Sequence, residues 1–346
     1  MEKLRVGIIG AGGIAQSRHI PALLTLSELA SVEAICDIHE ETAKLTAEKF
    51  GVPHAFGEYQ DMLEMVDAVV ICTPNRYHAE ISVAALKAGK HVLCEKPMAM
   101  TAEECEEMIK ASKESGKQLA IAYHYRFMKE ARAAKKVIEE NEIGQPIVAR
   151  AKALRRRKVP GWGVFTNKEL QGGGAMIDYG CHFLDLALWL LGSPDPVEVT
   201  GTAYNHLSRM ENQVNLWGDY DYKTIEVEDH VTAYIRFGNG ASLLFETSWM
   251  ANIKNDEESL GISGLTGGID VFPFQLNQLK NGMLLNSEAE WLPGEEDPGI
   301  PQARNFLNSC LGKEELIVKP EEALQVSRII DAIYKSSESG KSIVLE

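Results

Sequence analysis

Positive charge is scarce in this 346-residue sequence: 35 lysines and arginines face 50 aspartates and glutamates, a formal net charge of -15. That balance argues against a polyanionic partner such as DNA or RNA and against an anionic membrane surface. Cysteine is sparse too. The six (Cys36, Cys72, Cys94, Cys105, Cys181, Cys310) form no CxxC pair, and several sit in apolar runs where a free thiol behaves as a small hydrophobe. This usage points to a reducing compartment and offers no metal site. Long apolar runs are missing as well: nowhere do about 18 apolar residues follow one another, and glycines interrupt "MEKLRVGIIGAGG" before a signal-like stretch develops. A soluble, cytoplasmic protein acting on a small molecule is expected. Neither a fixed-period repeat nor a low-complexity tract is present.

The length suits two domains. From Leu4 to about Ala122, short apolar runs ("LRVGIIG", "SVEAICD", "DAVVICTP", "HVLCE", "QLAIAYH") alternate with amphipathic stretches. Buried runs separated by helices indicate a doubly wound α/β domain with a parallel sheet covered on both faces. Thr101 and Glu104 form a capping box for the helix that Gly116 ends. Beyond residue 123 come a helix, a Gly- and Trp-containing loop, a second helix over about 174–191, and strand-like segments. "FGNG" between "VTAYIR" and "ASLLFE" predicts a type I′ hairpin, and the segments together predict a second α/β domain with a large, mostly antiparallel open sheet. The domains are therefore 1–122 and 123–346, with a C-terminal helix over 320–338 that can pack on either. An open sheet with few covering helices leaves a face for a homo-oligomer contact, a homodimer or homotetramer.

Four constellations carry chemistry. In "VGIIGAGGIAQ", Gly10, Gly12 and Ala15 give G-x-G-x-x-A directly after a strand and opening a helix, so backbone can approach a pyrophosphate. Gly13 and Ile14 lie within the same turn. The second strand ends in Asp37, 22 residues after Ala15, where a carboxylate can accept ribose hydroxyls and repel a 2′-phosphate. NAD is thus favoured over NADP, though Ile38 and His39 leave room for the latter. The third strand end, "TPNRYH", puts Thr73, Pro74 and Asn75, with His78 just beyond, at the edge where open parallel sheets bind ligands.

The fourth strand ends in "CEKP". Lys96 there would point into a cofactor crevice, extended by the steric demand of Pro97, but a solvated Glu95–Lys96 pair fits the residues equally well. Lastly, "GGGAMIDYGCHFLDLALWLLG" puts Asp178, His182 and Asp185 on one face of an otherwise apolar helix. A histidine flanked by two carboxylates has the makings of an oriented proton acceptor, with a satisfied core histidine as the alternative.

Taken together, "GIIGAGGIA", "ICTPNRYHAEISVAALKAGKHVLCEKPMAMTAEE", "YHYRF" and "GGGAMIDYGCHFLDLALWLLG" resemble the glucose-fructose oxidoreductase, inositol dehydrogenase and rhizopine catabolism (Gfo/Idh/MocA) family over essentially the whole chain. The resemblance implies an N-terminal nicotinamide-binding Rossmann domain and a C-terminal domain whose open sheet forms oligomer contacts. It implies catalytic roles for Lys96, Asp178 and His182; Asp185, three residues beyond His182, is a weaker supporting candidate, and the strand-edge position makes Glu95 a cofactor neighbour. Tyr123 and Arg126 match the family's GY-x-x-RF stretch, with Ala122 where glycine is usual, and become substrate-side candidates, as do Arg156 and Trp162 in the loop after "LRRR". The activity implied is NAD-dependent hydride transfer between nicotinamide and a secondary alcohol of a sugar, inositol or related polyol. Competing readings are a reductase of an imine-like substrate and a dinucleotide-binding sugar sensor without turnover. Retention of both lysine and histidine favours the dehydrogenase.

Overall fold

Five short apolar runs and one three-residue strand that the sequence reading did not mark, His54–Phe56, build the first sheet. β1 (Leu4–Ile9), β2 (Ala30–Cys36), β3 (His54–Phe56), β4 (Ala68–Ile71), β5 (His91–Cys94) and β6 (Leu119–Ile121) are all parallel, in the order β3-β2-β1-β4-β5-β6. The chain reverses direction across this sheet between β1 and β4, the switch point at which ligands bind in doubly wound folds. The computed structural model describes residues 3–345. Val6, Ile8, Ile35, Val70 and Leu93 are buried at the centre, as expected of strands covered on both faces. The predicted capping box forms: the Glu104 amide donates to Thr101 Oγ1 at 3.2 Å, the Met100 amide donates to Glu104 Oε2 at 3.0 Å, and Gly116 closes the helix at φ 67°.

The second sheet has nine strands: β7 (Pro146–Leu154), β8 (Pro196–Tyr204), β9 (His230–Phe237), β10 (Ser242–Ser248), β11 (Glu257–Gly264), β12 (Gly267–Asp270), β13 (Gln275–Lys280), β14 (Met283–Glu288) and β15 (Ile343–Val344). They run in the order β14-β13-β12-β11-β7-β10-β9-β8-β15, antiparallel except for β7 with β10. The β9–β10 hairpin forms where "FGNG" predicts it, but not as a type I′ turn. Positive φ falls on Gly240 (86°) and not on Asn239, whose side chain instead accepts the Ala241 amide at 3.0 Å. In the β13–β14 hairpin both central residues, Asn281 (54°) and Gly282 (73°), take positive φ.

The chain divides into two units: the N-terminal part through Phe127 with Glu295–Leu324, and Met128–Gly294 with Gln325 onward. This differs from a single cut after residue 122. Helix Gly299–Cys310 supplies Ala303, Phe306 and Leu307 to the core built on β1 and β2, a long-range burial invisible to sequence order. The boundary falls within helix Pro320–Ser339. Among the described residues no helix is long and apolar enough to cross a membrane.

In the second unit, all ten residues of helix Cys181–Leu190 are buried, as an all-round apolar helix must be. It is preceded by a π-helical turn, Met176–Gly180, and by "GGG". A Cβ on Gly174 would lie 2.0 Å from the Glu228 carbonyl oxygen, and one on Gly173 2.1 Å from the Tyr334 hydroxyl. Only glycine lets the chain enter this helix at that depth. Gly174→Ala is expected to cost roughly 3 kcal/mol or more because the clash is with main chain. Thermal denaturation should show a fall of several degrees in Tm, and a Tm unchanged within about 1 °C would mean that this backbone yields.

Candidate active site

The dinucleotide turn is built as its sequence predicts. Gly10 takes φ 94°, and a Cβ there would lie 2.7 Å from the Cys72 carbonyl carbon, so β1 and β4 approach closely only because it is glycine. Added Cβ atoms on Gly12 or Gly13 would meet nothing within 4 Å, so an open cradle faces the backbone of this turn. Ala15 is fully buried, as the third position of the fingerprint requires, and Ile14 is half-buried. Asp37 Oδ2 accepts the Ala11 amide at 2.9 Å and Oδ1 accepts the His39 amide at 3.0 Å, which holds the half-buried carboxylate beside the turn. Beside the same turn, Thr73 Oγ1 is buried without a hydrogen-bond partner among the described residues. Pro74 is half-buried and Asn75 buried. A carboxylate, an open glycine turn and an orphaned hydroxyl suit a ribose-pyrophosphate ligand.

At the end of β5, Lys96 is half-buried, and its peptide bond to Pro97 is cis. Glu95 is not the solvated partner of Lys96 that one sequence reading allows, since its carboxylate is engaged within the protein. It is 6% exposed. Its Oε1 lies 2.7 Å from His19 Nε2, and its Oε2 accepts the Lys96 amide at 3.0 Å. Burial by itself would raise its pKa, but the His19 hydrogen bond and the charges of His19, Lys96 and Arg18 prevail and bring it to about 2. Arg18 in turn donates to His124 Nδ1 at 3.0 Å. Burial, then the Arg18 charge, push His124 down to about 3, leaving a neutral acceptor. Sequence reasoning missed Arg18, His19 and His124. The adjacent "RH" at 18–19, five residues past Gly13, was a usable sign, since a helix that packs on the sheet has little room for polar groups without partners.

His78 also departs from its expected role. It is fully buried, with Nδ1 2.8 Å from the Pro97 carbonyl and Nε2 3.0 Å from the Thr73 carbonyl. It ties the ends of β4 and β5 together and has no exposed surface for a ligand. Burial lowers its pKa against the pull of the two carbonyls. Tyr123 and Arg126 likewise have no exposed surface. Arg126 donates to the Ile317 carbonyl at 3.0 Å and forms an ion pair with Glu322, so it fastens the 295–324 segment to its unit; a substrate contact does not follow.

In the second unit, the π turn carries Asp178 and the following α-helix carries His182 and Asp185, so the three do not share the regular helical stripe read from spacing. His182 is 6% exposed and Asp185 fully buried. Asp178 Oδ2 accepts the Trp249 indole at 2.9 Å and Arg155 Nη1 at 3.2 Å. The arginine set against this carboxylate is therefore Arg155 and not Arg156. Arg156 Nη1 donates to the Lys254 carbonyl at 3.0 Å, and its amide to Asp256 Oδ1 at 2.8 Å, because alternate residues of an extended chain face opposite ways. Trp162 is 51% exposed, its ring 5.4 Å from that of Trp217. The whole helix entry hangs on Glu228. Its buried carboxylate accepts the amides of Gly174 (2.9 Å) and Met176 (3.0 Å) and the Tyr334 hydroxyl (3.0 Å). Burial, only partly offset by these donors, raises its pKa. No group of three or more His, Cys, Asp or Glu among the described residues is arranged to hold a metal ion.

A parallel sheet with this strand order, a glycine turn at its switch point and an acid at the end of its second strand define a dinucleotide-binding oxidoreductase. The chain belongs to the GFO/IDH/MocA oxidoreductase family. Residues 4–123 match its NAD-binding Rossmann fold and residues 131–270 its C-terminal domain. The chain is similar to D-glucoside 3-dehydrogenase of Escherichia coli K12, at 36% identity over 99% of this chain and 97% of that protein. It is also similar to levoglucosan dehydrogenase of Pseudarthrobacter phenanthrenivorans, at 29% identity over 80% of this chain and 75% of the other. A solved levoglucosan dehydrogenase in complex with NADH and L-sorbose superposes with a TM-score of 0.87 at 25% identity, covering 100% of both chains. NAD is the cofactor of this family fold, and the turn at Gly10–Ala15 with Asp37 is built for it.

Two outcomes are expected. Glu95, held at about 2 against its usual 4.5, contributes stability that is complete above pH 4.5 and is lost as pH falls toward 2. Urea denaturation across pH should therefore show a wild-type advantage over Glu95→Gln that is constant above that window and shrinks within it; an advantage independent of pH would remove Glu95 from acid stability. Asp37→Ser should shift the kcat/KM ratio from NAD toward NADP by at least about tenfold, a change of roughly 1.4 kcal/mol, and an unchanged ratio would free Asp37 of cofactor selection.

Proposed function

We propose that this protein is a cytoplasmic NAD-dependent dehydrogenase that oxidises a secondary alcohol of a sugar, glycoside or related polyol to the ketone, reversibly. The observation that carries the reading is the end of β5. A lysine there follows a buried, fully engaged glutamate, on the same sheet edge as the open glycine turn and Asp37. The sugar-acting relatives named above support the substrate class.

Bound NAD supplies the two-electron acceptor that takes hydride from the carbinol carbon. The chain's own residues handle the proton and the charge. The Lys96 ammonium donates a hydrogen bond to the carbinol oxygen and stabilises it as alkoxide character grows. His182 accepts the hydroxyl proton, a task suited to an imidazole near neutrality. Asp178, fixed by Arg155 and Trp249, orients the substrate or the imidazole. Glu95 acts through Lys96 by holding its main-chain amide, and Asp185 supports the helix from inside.

The open face of the nine-stranded sheet supports a homodimer or homotetramer. Tyr234 pairs directly with Leu244 across β9 and β10, and both are more than 40% exposed, as is Tyr204 on β8. Lys96→Ala and His182→Ala should each fold and bind NAD while kcat falls by about 10² or more. The assay is NADH absorbance over a panel of sugars, inositols and glycosides with the wild-type enzyme as reference. Near-normal turnover in either variant removes that residue from the chemistry, and silence of the wild type across the panel with NAD binding intact refutes the dehydrogenase.

A further inference from the structure

A line of contacts in the second unit leads from Asp178 to solvent. Arg155, hydrogen-bonded to Asp178, has its guanidinium carbon 3.9 Å from the Tyr179 ring centroid and 4.5 Å from that of Trp217. Trp217 then meets Trp162, with ring centroids 5.4 Å apart and planes inclined at 51°. The two indoles are 38% and 51% exposed. Exposed tryptophans are costly to leave in water, and two together form a surface suited to a flat apolar face.

This pair is built, because the loop that carries Trp217 is pinned. Asn215 Oδ1 accepts the Val159 amide at 2.9 Å and its Nδ2 donates to the Val159 carbonyl at 2.9 Å, a two-way clasp on the segment that follows Arg155. The Leu216 amide donates to the Arg157 carbonyl at 2.8 Å. Farther along the loop, Tyr220 packs on a buried cluster containing Val159, Ile225, Val227 and Trp249, the last being the residue that donates to Asp178. The aromatic pair and the Asp178 carboxylate thus share one framework.

Resting on the dehydrogenase reading above, we infer that Trp217 and Trp162 form a platform for a second ring, so that the substrate is a glycoside whose aglycone or second sugar stacks there. Pyranose rings present C–H faces, and aryl groups π faces, that both suit an indole. The contact through Arg155 couples that platform to the Asp178 carboxylate. Carbohydrate chemistry is favoured over a protein partner because the platform adjoins a hydrogen-bonding acid and an arginine, the polar groups that fix a sugar's orientation.

The test compares kcat/KM for glucose, phenyl glucoside and cellobiose in wild type, Trp217→Ala, Trp217→Phe and Asn215→Ala. The ratio of glycoside to glucose should fall about tenfold in Trp217→Ala and in Asn215→Ala, and recover in part in Trp217→Phe. Phenyl glucoside alone responding assigns the platform to an aryl aglycone, and both glycosides responding assign it to any second ring. An unchanged ratio in Trp217→Ala overturns the inference. Should the wild type turn over none of the three, the dehydrogenase reading is judged on the full panel above, and the platform is decided by titrating tryptophan fluorescence with phenyl glucoside in the presence of NAD. A saturable change lost in Trp217→Ala supports the platform, and no saturable change in the wild type refutes it.

Discussion

A carboxylate buried in an apolar interior must be surrounded by donors or cations, and each unit of this protein is organised around one such group. In the second unit, Glu228 gathers the amides of Gly174 and Met176 and the Tyr334 hydroxyl, and so fixes where the helix bearing Asp178 and His182 begins. In the first, Glu95 gathers His19 and the Lys96 amide and fixes where β5 releases its lysine. Their titration differs because their partners differ. Glu95 has cationic neighbours and is driven toward a low pKa, whereas Glu228 has only neutral donors and burial lifts it. The main chain at Lys96 is thus held by charge in one unit, and that at the start of the Asp178 helix by dipoles in the other.

Much of the fold was legible because hydrophobic period and turn chemistry are local properties. The parallel strands, the glycine turn, the capping box at Thr101 and the helix over 181–190 follow from runs, spacings and glycines that need no distant partner. Two local features were misread. "FGNG" closes a hairpin with Asn239 using its side chain in place of a positive φ, and the regular helix drawn through Asp178 gives way to a π turn. Each was decided by the backbone's fit to its neighbours, which residue type alone does not encode.

Site residues divide along the same line. Gly10 and Asp37 could be named from position in the fingerprint and Thr73 from the strand edge, and their geometry suits a dinucleotide. His78 and Arg126 look like ligand residues in a linear motif because position in a motif does not say where a side chain's hydrogen bonds go. Internal partners reveal their part: His78 ties strand ends, and Arg126 ties in a segment nearly two hundred positions away. Arg155 in place of Arg156 is a matter of strand phase, which "RRR" leaves undetermined.

By itself, then, the sequence determined the class of sheet and the dinucleotide turn, since these rest on periodicity and on fixed local spacing. Only the tertiary structure decided that helix 299–310 completes the first core, that Arg18, His19 and His124 gather around Glu95, and that Trp217 stands beside Arg155. The physical reason is that these are encounters between residues far apart in the chain. They are selected by the free energy of burying apolar surface and of satisfying every buried polar group at once, and no local stretch of sequence carries that sum.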